Sequence, residues 1–249
     1  ERVNAMRKAA GLTFNEAGIA MLSGALRRYL DELDQLPEQS LVANVPVALA
    51  SSGDGGNAVL TMWVPMGTEL EDPVERTAFV HEESTRAKQV LQQLVDSASV
   101  GQGIRLPSFM VRGMALSLSS AQMAKLNPPP GNVALSNVPS SATPIHVAGA
   151  LVESVHGLSM LLQGQGMSTT FTSYAGQVVL GAICCAEAVP DPWRILDYMM
   201  DEVEVIQGAL DRRVGNKAAG AGPKSRATRK KRVASSKTTT TATRSRKNA

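Results

Sequence analysis

The stretch "LTFNEAGIAMLSGALRRYLDEL" constrains the fold more than any other part of the chain. Phe14, Met21, Leu22, Ala25, Leu26, Tyr29, Leu30 and Leu33 recur at the three-four spacing of one helical face. Thr13 and Glu16 stand in a capping-box relation, in which each side chain satisfies a free amide of the first turn. A helix with so wide an apolar face must lie against other apolar surface.

The rest of the chain supplies that surface. "LVANVPVAL" and "AVLTMWVPM" read as strands joined by the glycine-rich "ASSGDGGN". Asp72-Pro73 opens a second helix that runs to about Ser97, since Asp caps and Pro fits the first turn. A Met-rich apolar segment, Pro107 to Leu126, reads as a further helix stopped by "NPPPG". Four strands are then expected at Val133–Val138, Ile145–Val155, Met167–Tyr174 and Val178–Cys185, with "SYAGQ" as the turn between the last two. Asp191-Pro192 begins the final helix, "WRILDYMMDEVEVIQGAL". Helices mixed with strands in direct succession imply an α/β or α+β layered sheet. The 249 residues fit one large domain or two small ones.

With 43% apolar but only 4% aromatic residues, the core must be built mostly of Val, Leu, Ala and Met. The two cysteines, Cys184 and Cys185, are adjacent inside an apolar run, a placement that rarely gives a structural disulfide and fits a reducing compartment. No run reaches the roughly 18 consecutive apolar residues of a membrane span, and no secretory signal is visible. These features lead us to expect a cytoplasmic protein. The opening "ERVNAMRKAAGLTFNEAG" reads as continuing from an upstream segment.

Charge is unevenly spread. Residues 217–249 hold 11 of the 25 Lys and Arg and no acid, which leaves 14 basic against 22 acidic residues elsewhere. From about residue 215 the Lys, Arg, Thr and Ser composition cannot bury enough apolar surface to offset ordering, so residues 1–214 are expected to form the folded body and 215–249 a disordered basic tail. Such a tail can bind an anionic membrane or lipid-droplet surface, bind nucleic acid, or stay solvated. With no aromatic for base stacking, the lipid surface ranks above nucleic acid.

The residues alone complete no catalytic constellation. His81, His146 and His156 have no ligand spacing between them, so no metal site is expected. His81, followed by Glu82 and Glu83, reads as a surface histidine among carboxylates, and His156 as a core or channel residue. There is no G-x-S-x-G elbow and no P-loop. Cys184 and Cys185 read as small buried hydrophobes, because no nearby base would lower a thiol pKa. Ser136 and Asn137 end an apolar run before a bend through two prolines, which is either turn chemistry or the lip of a channel.

Several stretches, in order over about residues 10–210, resemble the C-terminal half of the bacterial wax ester synthase/diacylglycerol acyltransferases. "TFNEAGIAMLSGALRRYL" resembles that family's Asn-Asp helix, and "LVANVPVAL" its M-V-P-V-S-L strand. "GGNAVLTMWVPM" and "DPVERTAFVHEESTRAK" are similar to the strand and helix that follow. "LSNVPSS" resembles S-N-V-P-G-P, and "TSYAGQVVLGAICCAEAVPDPW" its S-Y-x-G segment. Glu16 stands where the family usually has Asp, Ser140 where it has Gly, and Cys185 where it has Asp, which suggests a divergent member.

The resemblance implies one lobe of a two-lobed, condensation-domain or chloramphenicol-acetyltransferase-like fold. It implies transfer of a fatty acyl group from acyl-CoA to diacylglycerol or a fatty alcohol, without a cofactor, acyl-CoA being a substrate. The family's H-H-x-x-x-D-G motif belongs to the N-terminal half, and this chain contains no His-His pair. No catalytic residue is therefore assigned, the N-terminal lobe is the expected partner, and the chain is expected to be inactive alone. The residues the resemblance brings to the channel or its support are Asn15, Glu16, Ser136, Asn137, Tyr174 and Gly176. Asn15 also fits a plain first-turn role. The rival reading is a non-catalytic lipid- or partner-binding module anchored by its basic tail.

Overall fold

The computed structural model describes residues 1–48, 59–96, 131–161 and 164–220. The loop "ASSGDGGN", the Met-rich segment 107–126 and the tail beyond 220 lie outside the described residues.

Helix α1 (Arg2–Ala9) leads into α2 (Phe14–Asp31), the helix the apolar spacing predicts. The capping box forms as expected, with the Thr13 amide donating to Glu16 Oε2 at 2.9 Å. Strands β1 (Val42–Ala48) and β2 (Val59–Pro65) form an antiparallel pair, and α3 (Pro73–Asp96) follows. Asp72 caps α3 by accepting from the Val74 and Glu75 amides. Then come β3 (Val133–Pro139), two short strands β4 (His146–Val147) and β5 (Ala150–Leu151), β6 (Met167–Tyr174), β7 (Gln177–Cys184) and α4 (Pro192–Gly220). The main sheet has the order β2-β1-β3-β6-β7. Its inner pairs β1–β3 and β3–β6 are parallel and its outer pairs antiparallel. Pairing of β1 with β3 stops at Asn44, just before Pro46, which has no amide hydrogen to give.

The helices cover one face of this mixed sheet. Ala43, Val45, Val64, Leu135, Met167 and Phe171 meet Ile19, Met21, Leu22, Ile195, Met199 and Ile206 in one core. Helix α2 runs through the middle and is buried on more than one face, because α3 and α4 flank it. Leu33, read as part of its apolar stripe, is instead exposed: α2 ends at Asp31, so the helical spacing no longer applies there.

The three helices are tied by a buried ion pair. Arg76 Nη2 of α3 meets Glu202 Oε2 of α4 at 2.9 Å, with side chains only 4% and 9% exposed. Arg76 Nη1 also donates to the Leu70 carbonyl. The Glu202 carboxylate lies where a Cβ on Gly24 of α2 would sit, 2.0 Å away, so only glycine admits it. Burial pushes the Glu202 carboxyl up, and Arg76 opposes that.

Three sequence expectations change. The expected strand Ile145–Val155 is a hairpin, because Ala148 and Gly149 take φ of 50° and 84° and reverse the chain. Helix α1 has no sequence counterpart, since only Val3 and Met6 of it are buried and no side chain caps it. Helix α4 continues through Val214, where the composition turns basic, to Gly220, a run whose Ala218 and Ala219 favour helix.

Arg76→Ala should destabilise the fold by about 3–5 kcal/mol in urea titration, because Glu202 is left charged and unpaired in the interior. Replacing both partners with apolar residues of similar size should recover most of that loss.

Candidate functional site

The residues singled out by the resemblance gather at one end of the sheet. Asn15 and Glu16 open α2, Ser136 and Asn137 lie near the end of β3, Tyr174 ends β6, and Gly176 sits in the β6–β7 turn. In the parallel ladder Asn137 pairs with Phe171 and Pro139 with Ser173. Phe14 stacks edge-on against Phe171 at 6.2 Å between centroids, and Gly18 approaches the same ring. The N-terminus of α2 is thereby fixed over the β3–β6 pair. A groove of about 570 Å³ opens beside it, lined by Phe14, Ser140, Ser173, Tyr174 and Gly176 among others.

Ser136 and Asn137 do not act as a pair. They are successive residues of a strand, so the pleat sends them to opposite faces, Asn137 sharing the helix-covered face of Phe171. Nor does Asn137 close a turn, because β3 continues to Pro139. The amide oxygens of Asn137 and Asn15 are both shut off from solvent, with no hydrogen-bond partner among the described residues. Neither residue lines the groove.

Tyr174 is fully buried and acts as a clamp. Its hydroxyl accepts from the Ile145 amide at 2.9 Å and donates to the Val152 carbonyl at 2.7 Å, joining the two ends of the β4–β5 hairpin. Gly176 supplies the positive φ of 79° that the tight turn needs, after Ala175 at 45°.

Glu16 is the electrostatic centre of this end. Its carboxylate is 1% exposed, yet accepts from Lys88 Nζ at 2.6 Å, lies 3.2 Å from His81 Nδ1 and closes the capping box. Burial alone would raise its pKa, but Lys88, the Thr13 amide and His81 together outweigh it and bring the carboxyl down to about 2. Lys88 was not singled out from the sequence, and His81 was read only against its neighbouring carboxylates, not against Glu16. Lys88 and His81 stand two turns apart on one face of α3, a spacing that was available to find them. His81 is a surface histidine as expected, but its partner is Glu16; Glu82 and Glu83 pair with Arg86.

The other candidates lie elsewhere. His156 is exposed, 3.0 Å from Ser154 Oγ, rather than a core or channel residue: the extended segment that carries it turns alternate side chains outward. His146 is exposed on β4. Both cysteines are free, and burial raises the Cys184 thiol, which packs at the edge of the core.

A mixed-sheet lobe whose motif residues converge on one sheet end defines a class, and comparison with known proteins places the chain within it. The family model of the WS/DGAT C-terminal domain matches residues 55–207. A putative diacylglycerol O-acyltransferase of Mycobacterium tuberculosis is 35% identical over 212 residues, covering 84% of this chain and 46% of the relative. A second, termed a probable diacylglycerol O-acyltransferase in the same species, is 31% identical over 224 residues with the same coverage. Among solved structures, a wax ester synthase/diacylglycerol acyltransferase from Marinobacter aquaeolei VT8 superposes with a TM-score of 0.63 at 29% identity, over 84% of this chain and 47% of that one. A nonribosomal peptide synthetase superposes at 0.50 with 15% identity, a likeness of fold alone. The chain belongs to the wax ester synthase/diacylglycerol acyltransferase family, and corresponds to its C-terminal domain. It spans about half the length of the relatives it matches.

Because the Glu16 carboxyl is held below its ordinary value of 4.5, its stabilisation is complete above that pH and is lost as pH falls toward 2. Glu16→Gln should remove that acid-limb dependence, worth roughly 2–3 kcal/mol, in chemical denaturation repeated from pH 5 to pH 2.

Proposed function

We propose that this chain is the C-terminal lobe of an acyl-CoA-dependent O-acyltransferase that esterifies diacylglycerol or a long-chain alcohol. The observation that carries the reading is the 35% identity, over 84% of the chain, to a putative diacylglycerol O-acyltransferase. In this reading a histidine of the other lobe takes the proton of the acceptor hydroxyl as general base. The oxygen attacks the thioester carbonyl, the new C–O bond forms as the C–S bond breaks, and the proton leaves with the CoA thiol. This lobe contributes no acid or base to that step. Its role is to hold one wall in place: the Phe14–Phe171 contact and the Glu16–Lys88–His81 cluster fix α2 over the sheet end. Acyl-CoA enters as substrate and no bound cofactor is invoked.

The purified chain should release no CoA above background from acyl-CoA and diacylglycerol, followed by thiol titration. Turnover should appear when the N-terminal half is supplied on the same polypeptide. Steady CoA release by the chain alone would overturn the division of labour.

No helix among the described residues is long and apolar enough to cross a membrane. We infer peripheral binding to anionic lipid through residues 217–249, which carry 11 basic side chains and no acid. Flotation with anionic vesicles should retain the full chain and lose most of the chain truncated after residue 216. Equal binding by both would remove the tail from this role.

A further inference from the structure

The groove of about 570 Å³ beside α2 is lined mainly by apolar side chains, and the strand registers say which way they face. Ser173 of β6 pairs with Pro139 of β3 on one side and with Val178 of β7 on the other. Ser173 stands two residues from Phe171, so Ser173 and Val178 share the face that carries that ring. Phe14 of α2 and Met200 of α4 line the groove from the helical layer. Two serines, Ser140 and Ser173, stand where β3 and β6 end. The Tyr174 hydroxyl is not available to a ligand there, being bonded to Ile145 and Val152.

Ser140 is the lining residue at which this chain departs from the family's turn, where glycine is usual. Its backbone does not call for glycine, since the positive-φ positions do not include it. Nor does the turn use its hydroxyl. The Ser140 amide donates to the Ser173 carbonyl and the Ala175 amide to the Ser141 carbonyl, both at 2.8 Å, and Ser141 Oγ accepts from the Thr143 amide. The serine side chain therefore adds volume and one hydroxyl to the groove and nothing to the fold. Charge narrows what could bind. The only basic side chain in the lining, Arg2, is bonded to Glu204 at 2.7 Å, so nothing recruits the phosphates of CoA. An uncharged apolar groove in the size range of small-ligand sites, with a hydroxyl at its rim, suits a hydrocarbon chain that ends in a neutral oxygen group.

We propose that this groove holds the neutral lipid acceptor, with its hydrocarbon along Val178 and Met200 and its oxygen-bearing end hydrogen-bonded to Ser140, and that Ser140 is a specificity-determining residue. Ser140 Oγ can both donate to and accept from a hydroxyl, and glycine at that place offers neither. Naming the ligand as the acceptor rests on reading the chain as one lobe of the acyltransferase. The lipid groove itself is tested without turnover.

The chain is photolabelled with a diazirine analogue of hexadecanol, and adducts are mapped by peptide mass spectrometry. They should fall on the peptides of Phe14, Val178 and Met200 and persist in excess CoA. Unlabelled hexadecanol and a diacylglycerol should compete, the stronger competitor naming the acceptor. Ser140→Phe, at an exposed position, should cut the adducts severalfold with the melting temperature nearly unchanged. With the N-terminal half on the same polypeptide, Ser140→Gly and Ser140→Ala should raise the acceptor KM roughly two- to tenfold, the worth of one hydrogen bond. The KM for acyl-CoA should stay nearly constant, and Ser140→Thr should restore most of the loss. Labelling confined to the exposed Leu158 and Met160, labelling displaced by CoA, or none at all would overturn the groove. An unchanged acceptor KM in Ser140→Gly would overturn the specificity role. A labelled groove in a two-lobed protein that releases no CoA would leave the lipid site standing and sink the acyltransfer reading.

Discussion

The contact between Arg76 and Glu202 over Gly24 organises the helical layer. Three helices distant in sequence meet where a carboxylate occupies the space that a side chain on α2 would take. The pair is expensive to bury, and its value lies less in net stability than in register. Helix α2 can slide along neither α3 nor α4 without driving a side chain into the space that the Glu202 carboxylate fills beside Gly24. Ser23 and Arg27 of α2 add to this by donating to the Met66 and Thr68 carbonyls after β2. With α2 fixed, its first turn falls over the ends of β3 and β6, where the motif residues gather.

That first turn shows how a local signal acquires a longer-range use. Glutamate three residues after Thr13 is the ordinary capping-box choice, and it forms. The same carboxylate then reaches Lys88 and His81 on α3. One side chain thus caps a helix and joins it to its neighbour. Glutamate is one methylene longer than aspartate, and that reach lets one carboxylate serve both tasks.

Local patterns were the legible part of this chain. Spacing and caps gave α2, α3 and the start of α4, because those elements carry wide apolar faces and Asp-Pro or Thr-Glu entries. Strand β6 matched residue for residue, being bounded by a glycine turn. The β4–β5 hairpin was missed although its "VAGA" turn repeats the Ala-Gly of "SYAGQ", because the apolar run around it looked continuous. Partners were not legible. Nothing near Glu16 in sequence names Lys88, and nothing near Gly24 names Glu202; only packing brings them together. The pleat, likewise, separates Ser136 from Asn137 although they are adjacent in sequence.

The two faces of the sheet are held by forces with different temperature laws. The helical face is glued by apolar burial, which does not weaken on moderate warming. The opposite face holds residues 154–161 through the hydroxyls of Ser168, Thr170 and Thr172, an adhesion that is mainly enthalpic and loosens with heat. On warming, the outer strip should therefore peel from the sheet while the helices stay seated. The lobe has a built-in order of melting, with this outer strip first and its core last.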